Sequence, residues 1–252
     1  MPEPTSPVPA ASPASVSVVF PAYQEEAFLE TAVESVVTGL REEGRRFEVI
    51  VVENGSKDAT RAVAERLAGM FPEVLARSIP TANYGLALRD GLLAASNELV
   101  VNFDVDLFDL AFLREASRRM SLPGGPDLIV ASKRGADADD RRHWTRKVVT
   151  GVFSTLLRVG FGLQVSDTHG MKAMRREPAQ SVGRVCLFGT DLFDTELILR
   201  MERAGYHTDE IGVKIEETRP ARTPILSRIA RSVRGLATLW FALRREKRSQ
   251  SS

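Results

Sequence analysis

The sequence predicts an α/β fold, with a mainly parallel central sheet covered by helices on both faces. Three observations carry that prediction. Short apolar runs at 16–20, 47–52, 74–79 and 98–103 alternate with segments of helical periodicity at 26–40, 58–70 and 85–95, the order in which a parallel sheet is built. The runs are mostly apolar and rich in β-branched residues, as strands buried on both faces require. The chain has 252 residues, 43% hydrophobic and 27% charged, so it can bury a core without disulfides or a structural metal.

Each element has its own signal. The first fifteen residues hold five of the thirteen prolines, with neither a basic stretch nor an apolar core, and read as a Pro-rich leader rather than a secretory signal. The β-branched run 16–20 stops at Pro21, and Phe28, Ala32, Val33, Val36 and Val37 then recur at helical spacing. The run 47–52 gives way to Asn54-Gly55-Ser56, turn residues ahead of a helix from Asp58. A third short strand, a helix and a fourth strand follow by the same alternation. The longest apolar stretch, 148–165, is broken by Ser154, Arg158, Gln164 and three glycines. A membrane span needs about 20 predominantly apolar residues, so this stretch is expected to be a helix and turn inside the domain.

Charge and reactive residues narrow the function. The net charge is +1, yet residues 222–252 hold eight Lys/Arg against one Glu, and the rest carry 26 basic and 32 acidic side chains. A nucleic-acid binder should spread its basic footprint over the folded surface, so no nucleic-acid partner is expected. The lone Cys186 excludes an internal disulfide and reads as core filler in a reducing compartment. His143, His169 and His207 show no zinc-binding spacing.

In a parallel sheet, ligands bind at the carboxyl ends of the strands. The first strand runs into Pro21-Ala22-Tyr23-Gln24-Glu25-Glu26. The Tyr23 ring offers a surface for a base, and Glu25 a carboxylate for a base N–H. The same residues also suit a helix start, where carboxylates favour the positive end of the dipole. Glu53 and Asn54 end the second strand and could hold ribose hydroxyls, with Gly55 permitting close backbone approach. The bland alternative is an Asn-Gly turn with Asp58 as helix cap. The fourth strand leads to Asp104-Val105-Asp106. On an extended backbone, side chains two residues apart point to one side. One Mg2+ or Mn2+ between the two carboxylates could then meet the phosphates of a nucleotide diphosphate. A solvated acidic loop ending at Asp109 is the competing reading.

Taken together and in order, VVFPAYQEE, VIVVENGSKDAT and NYGLALRDGLLAASNELVVNFDVDL resemble the nucleotide-binding half of the inverting family 2 glycosyltransferases, which have the GT-A fold. The resemblance implies that Pro21, Tyr23 and Glu25 face the base, that Glu53 and Asn54 face the nucleoside, and that Asp104 and Asp106 are the metal-associated pair. The family often has Asp-Asp where this chain has Glu53-Asn54. Its longer glycine-rich segment is reduced here to Asn83-Tyr84-Gly85.

The second half resembles the polyprenyl-phosphate (dolichyl-phosphate) sugar synthases, through VASKR at 130–134, the segment 142–176 and GTDLFDTELILRMERAGYHTDEIGVKI at 189–215. The resemblance implies a metal-assisted hexosyl transfer from a UDP- or GDP-sugar to a polyprenyl phosphate. It makes Arg134, Arg142, Arg146 and Lys172 the candidates for the acceptor phosphate, whose oxygens match arginine's planar fork. Asp167, Asp194 and Glu196 are expected to orient the sugar or hold arginines. The domain is expected to span 16–220, with a nucleotide-binding half (16–110) and an acceptor-binding half (111–220). From 221 to 252 follows a basic amphipathic helix and tail. In it Leu226, Ile229, Val233, Leu236, Trp240 and Leu243 form one face. That helix either meets an anionic membrane surface through residues 225–248 or packs on the domain's own core or a dimer partner. The expected location is cytoplasmic, peripheral at the inner face of the membrane. Two rival functions share the donor site: transfer to a soluble or polysaccharide acceptor, and a non-catalytic nucleotide-sugar binder.

Overall fold

The computed structural model describes residues 14–132, 163–165, 168, 170–189, 192–213, 235–236 and 238–245. Seven strands form one sheet in the order β3-β2-β1-β4-β6-β5-β7. Their bounds are β1 Val16–Ala22, β2 Phe47–Asn54, β3 Val74–Ile79, β4 Leu99–Asn102, β5 Leu128–Ser132, β6 Lys172–Arg175 and β7 Thr208–Gly212. Strands β1 to β4 pair in parallel, as do β5 and β7, whereas β6 runs antiparallel between β4 and β5. The sheet is therefore mainly parallel with one reversed strand.

The helices are α1 Leu29–Glu42, α2 Thr60–Met70, α3 Tyr84–Ala94, α4 Leu110–Met120, α5 Arg176–Val185 and α6 Phe193–Arg203. Alternation along each strand sends successive side chains to opposite faces. Val18 and Phe20 of β1, with Val49 and Val51 of β2, pack on Val33, Leu67 and Phe112 from α1, α2 and α4. Val19, Ile50, Val52 and Val100 pack on Leu88, Val182 and Leu197 from α3, α5 and α6. Apolar burial on both faces, about 25 cal/mol per Å2, explains why these runs show no polar alternation.

Helix α1 starts at Leu29, later than the periodicity from Glu26 suggests. Residues 24–26 are held elsewhere: Gln24 N donates to Ser56 Oγ (3.1 Å), Glu25 N to Thr60 Oγ1 (2.8 Å), and Glu26 Oε2 accepts from Ala59 N (2.8 Å). Glu26 thus serves the start of α2 rather than its own helix. Residues 238–245 are helical. Leu236, Leu239 and Leu243 are buried with Leu192, Phe193 and Leu197, so this apolar stripe packs on the domain's own core. Trp240, expected on that stripe, stacks instead under the Arg244 guanidinium, 3.4 Å from the ring centroid. Gly235 lets the chain approach, because a Cβ there would run into Leu192. Leu226, Ile229 and Val233 lie outside the described residues.

Candidate active site

The carboxyl ends of β1, β2 and β4 open into a cavity of about 380 Å3, within the range of small-ligand sites. Pro21, Tyr23, Glu25, Asn54, Asp104 and Asp106 line it, together with the 82–84 segment ahead of α3. Six of the seven residues expected to meet donor and metal are therefore brought together.

The seventh, Glu53, is buried behind them. One of its carboxylate oxygens accepts from Ser56 N and the other from Ser78 Oγ (2.7 Å). It holds the 54–56 turn rather than lining the cavity. In that turn Gly55 has φ +68, and a Cβ would stand 2.8 Å from the backbone of Thr81 and Ala82. The close approach that glycine permits here is thus made by the 81–82 segment. Asn54 Oδ1 accepts from Asn83 N (2.8 Å), and Asn83 caps α3 by accepting from Leu86 N (3.2 Å). The N-cap of α2 is Ala59 rather than Asp58, whose Oδ1 still accepts from Thr60 N (3.1 Å), and Asp109 caps α4 through Ala111 N (2.7 Å).

Asp104 and Asp106 reach the cavity by a different route from an extended strand. β4 ends at Asn102, and Asp104 N donates to Leu107 O (3.1 Å) while Leu107 N donates to Asp104 O (2.9 Å). The two carboxylates therefore sit on a tight turn. Its base is fixed by Phe103, whose buried ring lies 5.9 Å from Phe20 and 6.4 Å from Phe108, centroid to centroid. Among the described residues, no three His, Cys, Asp or Glu side chains converge to hold a metal ion. Two carboxylates opening on a solvent-accessible cavity fit a hard cation that completes its shell with substrate phosphates and water, as Mg2+ and Mn2+ do.

Beneath this turn lies Tyr84, whose importance the sequence did not reveal. Its hydroxyl is 3.5 Å from Asp104 Oδ1 and 3.4 Å from Asn102 Nδ2. Burial, and then the Asp104 and Asp194 carboxylates, hold the phenol well above its ordinary pKa, so it remains a neutral donor. Lys172, expected at the acceptor phosphate, is fully buried, with Nζ 2.6 Å from Gly170 O and 3.1 Å from Asp194 Oδ1. It does not line the cavity. Glu196 does hold an arginine, accepting from Arg200 Nε (2.7 Å) and from Leu187 N and Phe188 N (2.9 and 2.8 Å). Arg134, Arg142, Arg146 and Asp167 lie outside the described residues. Cys186 is buried, as core filler should be, and burial followed by the Glu196 carboxylate pushes its thiol up to about 12.

The family model described as "Glycosyl transferase family 2" matches residues 17–183. The chain is 30% identical to the glycosyltransferase AglD of Haloferax volcanii, covering 96% of this chain but 40% of that longer protein. It is 30% identical to an uncharacterized glycosyltransferase of Mycobacterium tuberculosis, covering 88% of this chain and 92% of the relative. A dolichyl-phosphate beta-glucosyltransferase of Trichomonas vaginalis is 27% identical, over 81% of this chain and 67% of its own length. In fold, glucosyl-3-phosphoglycerate synthase of M. tuberculosis, crystallised with Mn2+, UDP and phosphoglyceric acid, aligns with a TM-score of 0.65 at 23% identity. That alignment covers 91% of this chain and 78% of the synthase, and it makes the fold GT-A.

Proposed function

This chain belongs to glycosyl transferase family 2 and is a glycosyltransferase, and from that premise we propose that it moves a hexosyl group, with inversion, from a UDP- or GDP-sugar to a polyprenyl phosphate. One observation carries the proposal: Tyr23, Asn54, Asp104 and Asp106 converge on one cavity at the carboxyl edge of the sheet. In this reading Pro21, Tyr23 and Glu25 hold the base and Asn54 the nucleoside, while Glu53 keeps the turn that presents Asn54. Asp104 and Asp106 would hold Mg2+ or Mn2+, which when bound supplies positive charge to the departing nucleotide diphosphate.

The acceptor phosphate is already anionic at neutral pH, so it attacks the anomeric carbon without a dedicated general base. The chain's task is to bring two anions together and offset their repulsion. Arg134, Arg142 and Arg146 are assigned to the acceptor phosphate. A relative named for dolichyl phosphate supports the lipid acceptor. The second reading is a soluble phosphorylated acceptor, because the synthase that shares this fold is named for one.

Among the described residues, no helix is long and apolar enough to cross a membrane. We assign a peripheral contact with the anionic inner face to residues 225–248. With the leucine stripe packed inside, Phe241, 66% exposed, is the apolar side chain we assign to that contact. Incubation with labelled UDP- and GDP-sugars, Mn2+ and polyprenyl phosphate or phosphoglycerate tests the function. Cation-dependent label in the organic phase supports the lipid reading, and label in the aqueous acceptor alone replaces it with the second.

A further inference from the structure

The reversed strand β6 places a charge where a parallel sheet would hold only apolar side chains. Residues directly opposite in an antiparallel pair share a face, and Lys172 is opposite Asn102. Both lie on the face that carries Val100 and Met174 and that α3 and α6 cover. Those helices contribute Tyr84 and Asp194, at the first position of α3 and in the first turn of α6. Lys172 pairs with Asp194 (3.1 Å), and the Tyr84 hydroxyl, which feels the Asp194 carboxylate, accepts from Asn102 Nδ2 (3.4 Å) and turns its one proton toward Asp104 Oδ1 (3.5 Å). A buried ion pair thus stands on one side of the Tyr84 hydroxyl and a carboxylate of the cavity wall on the other.

Stability alone does not explain that pair. Desolvating an ammonium and a carboxylate costs several kcal/mol, and apolar side chains of similar volume are often as stable or more so. We propose that Lys172 and Asp194 are positioning residues which, through the Tyr84 hydroxyl, fix the orientation of the Asp104 carboxylate for a divalent cation and the donor diphosphate. The inference rests on the functional reading above and adds residues to it that do not touch substrate. Groups bonded behind a metal-holding side chain commonly change metal affinity by about 10- to 100-fold when removed.

The test is a Mn2+ titration of UDP and GDP binding to the full chain, read by calorimetry, with a thermal melt for each variant. Tyr84→Phe, which keeps the ring, should raise the Mn2+ concentration for half-maximal binding roughly tenfold with an unchanged melting temperature. Lys172→Met combined with Asp194→Leu removes both charges together and should raise it similarly. The triple variant should be no worse than either, because groups acting in series do not add. Unchanged Mn2+ requirements in folded variants, or effects that add in the triple variant, overturn the network while leaving the functional reading intact. Wild-type protein that binds neither nucleotide in a Mn2+-dependent way sinks the functional reading, and this inference with it.

Discussion

At the amino ends of β1, β2 and β4, Glu48 accepts from Ser17 Oγ (2.6 Å), Ser96 N (2.7 Å) and Ser96 Oγ (2.9 Å), while Asn97 Nδ2 donates to Val16 O (3.1 Å). At the carboxyl ends of the same strands, Asp106 is exposed on the cavity wall and makes no hydrogen bond or ion pair among the described residues. Both ends are rich in polar side chains. The amino end uses its own as internal stitching, and the carboxyl end holds some of them open. The contrast recurs within one end, where Glu53 has both oxygens engaged by the fold. Polarity at a strand end is therefore no sign of function until the partners are counted, since a carboxylate held by the fold has fewer acceptor sites and less freedom to turn toward a ligand.

The sharpest way to break this comparison is to neutralise one carboxylate at each end. Asp106→Asn should lower sugar transfer by roughly 10³-fold, about 4 kcal/mol of transition-state stabilisation, with the melting temperature unchanged. Glu48→Gln should do the reverse, destabilising by about 1–3 kcal/mol in a denaturant melt and sparing kcat. Substantial transfer by the Asp106 variant, or its unfolding, would erase the distinction between the two ends.

Gly55→Ala tests whether the turn behind the cavity is as constrained as its φ of +68 implies. The strained backbone and the clash with residues 81–82 should cost on the order of 1–3 kcal/mol, and nucleotide affinity should fall because Asn54 and Asn83 shift together. A stable variant with normal nucleotide binding would show that the turn adapts.

Cys186 sharpens the point at a single thiol. With its pKa pushed up to about 12 by burial and the Glu196 carboxylate, it should resist iodoacetamide at pH 8 in the native protein and react only on unfolding. Mass spectrometry showing rapid native modification would contradict its placement in the core.

The smallest effect belongs to Glu115, whose carboxyl is held down at about 2 by hydrogen bonds from Arg118 and Arg119. A depressed folded pKa means that its contribution is complete above the unfolded value near 4.5 and fades as pH falls toward 2. The pair is largely solvent-screened, so that contribution is a few tenths of a kcal/mol. Stability of Glu115→Gln relative to wild type, measured between pH 6 and pH 2.5, should converge by that amount as the acid is added.

The parallel half of the fold was legible because its signals are local. Apolar runs such as 47–52 and turn residues such as Asn54-Gly55 announce themselves within a few positions. The reversed β6 was not legible, since Lys172 finds Asn102 only after the chain returns across the sheet. Asp104 and Asp106 were expected side by side on an extended strand; both do line the cavity, but on a turn closed by Leu107. Glu53 showed its residue type and not its partners, Ser56 and Ser78. Tyr84 and Asn102 could have been suspected, as an Asn in the otherwise apolar β4 demands a partner. Only packing identifies that partner. The tail's leucine stripe suited a membrane, the domain's own core or a dimer partner, and packing of Leu236, Leu239 and Leu243 on the core selects one for the described part.

The most direct test of the central claim follows labelled sugar from UDP- and GDP-donors into the organic-extractable fraction, using wild type and Asp106→Asn with and without Mn2+. The account predicts lipid-linked label that requires polyprenyl phosphate, the cation and Asp106 together. Lipid-linked label that persists in the folded Asp106 variant, or with the cation chelated, would contradict it.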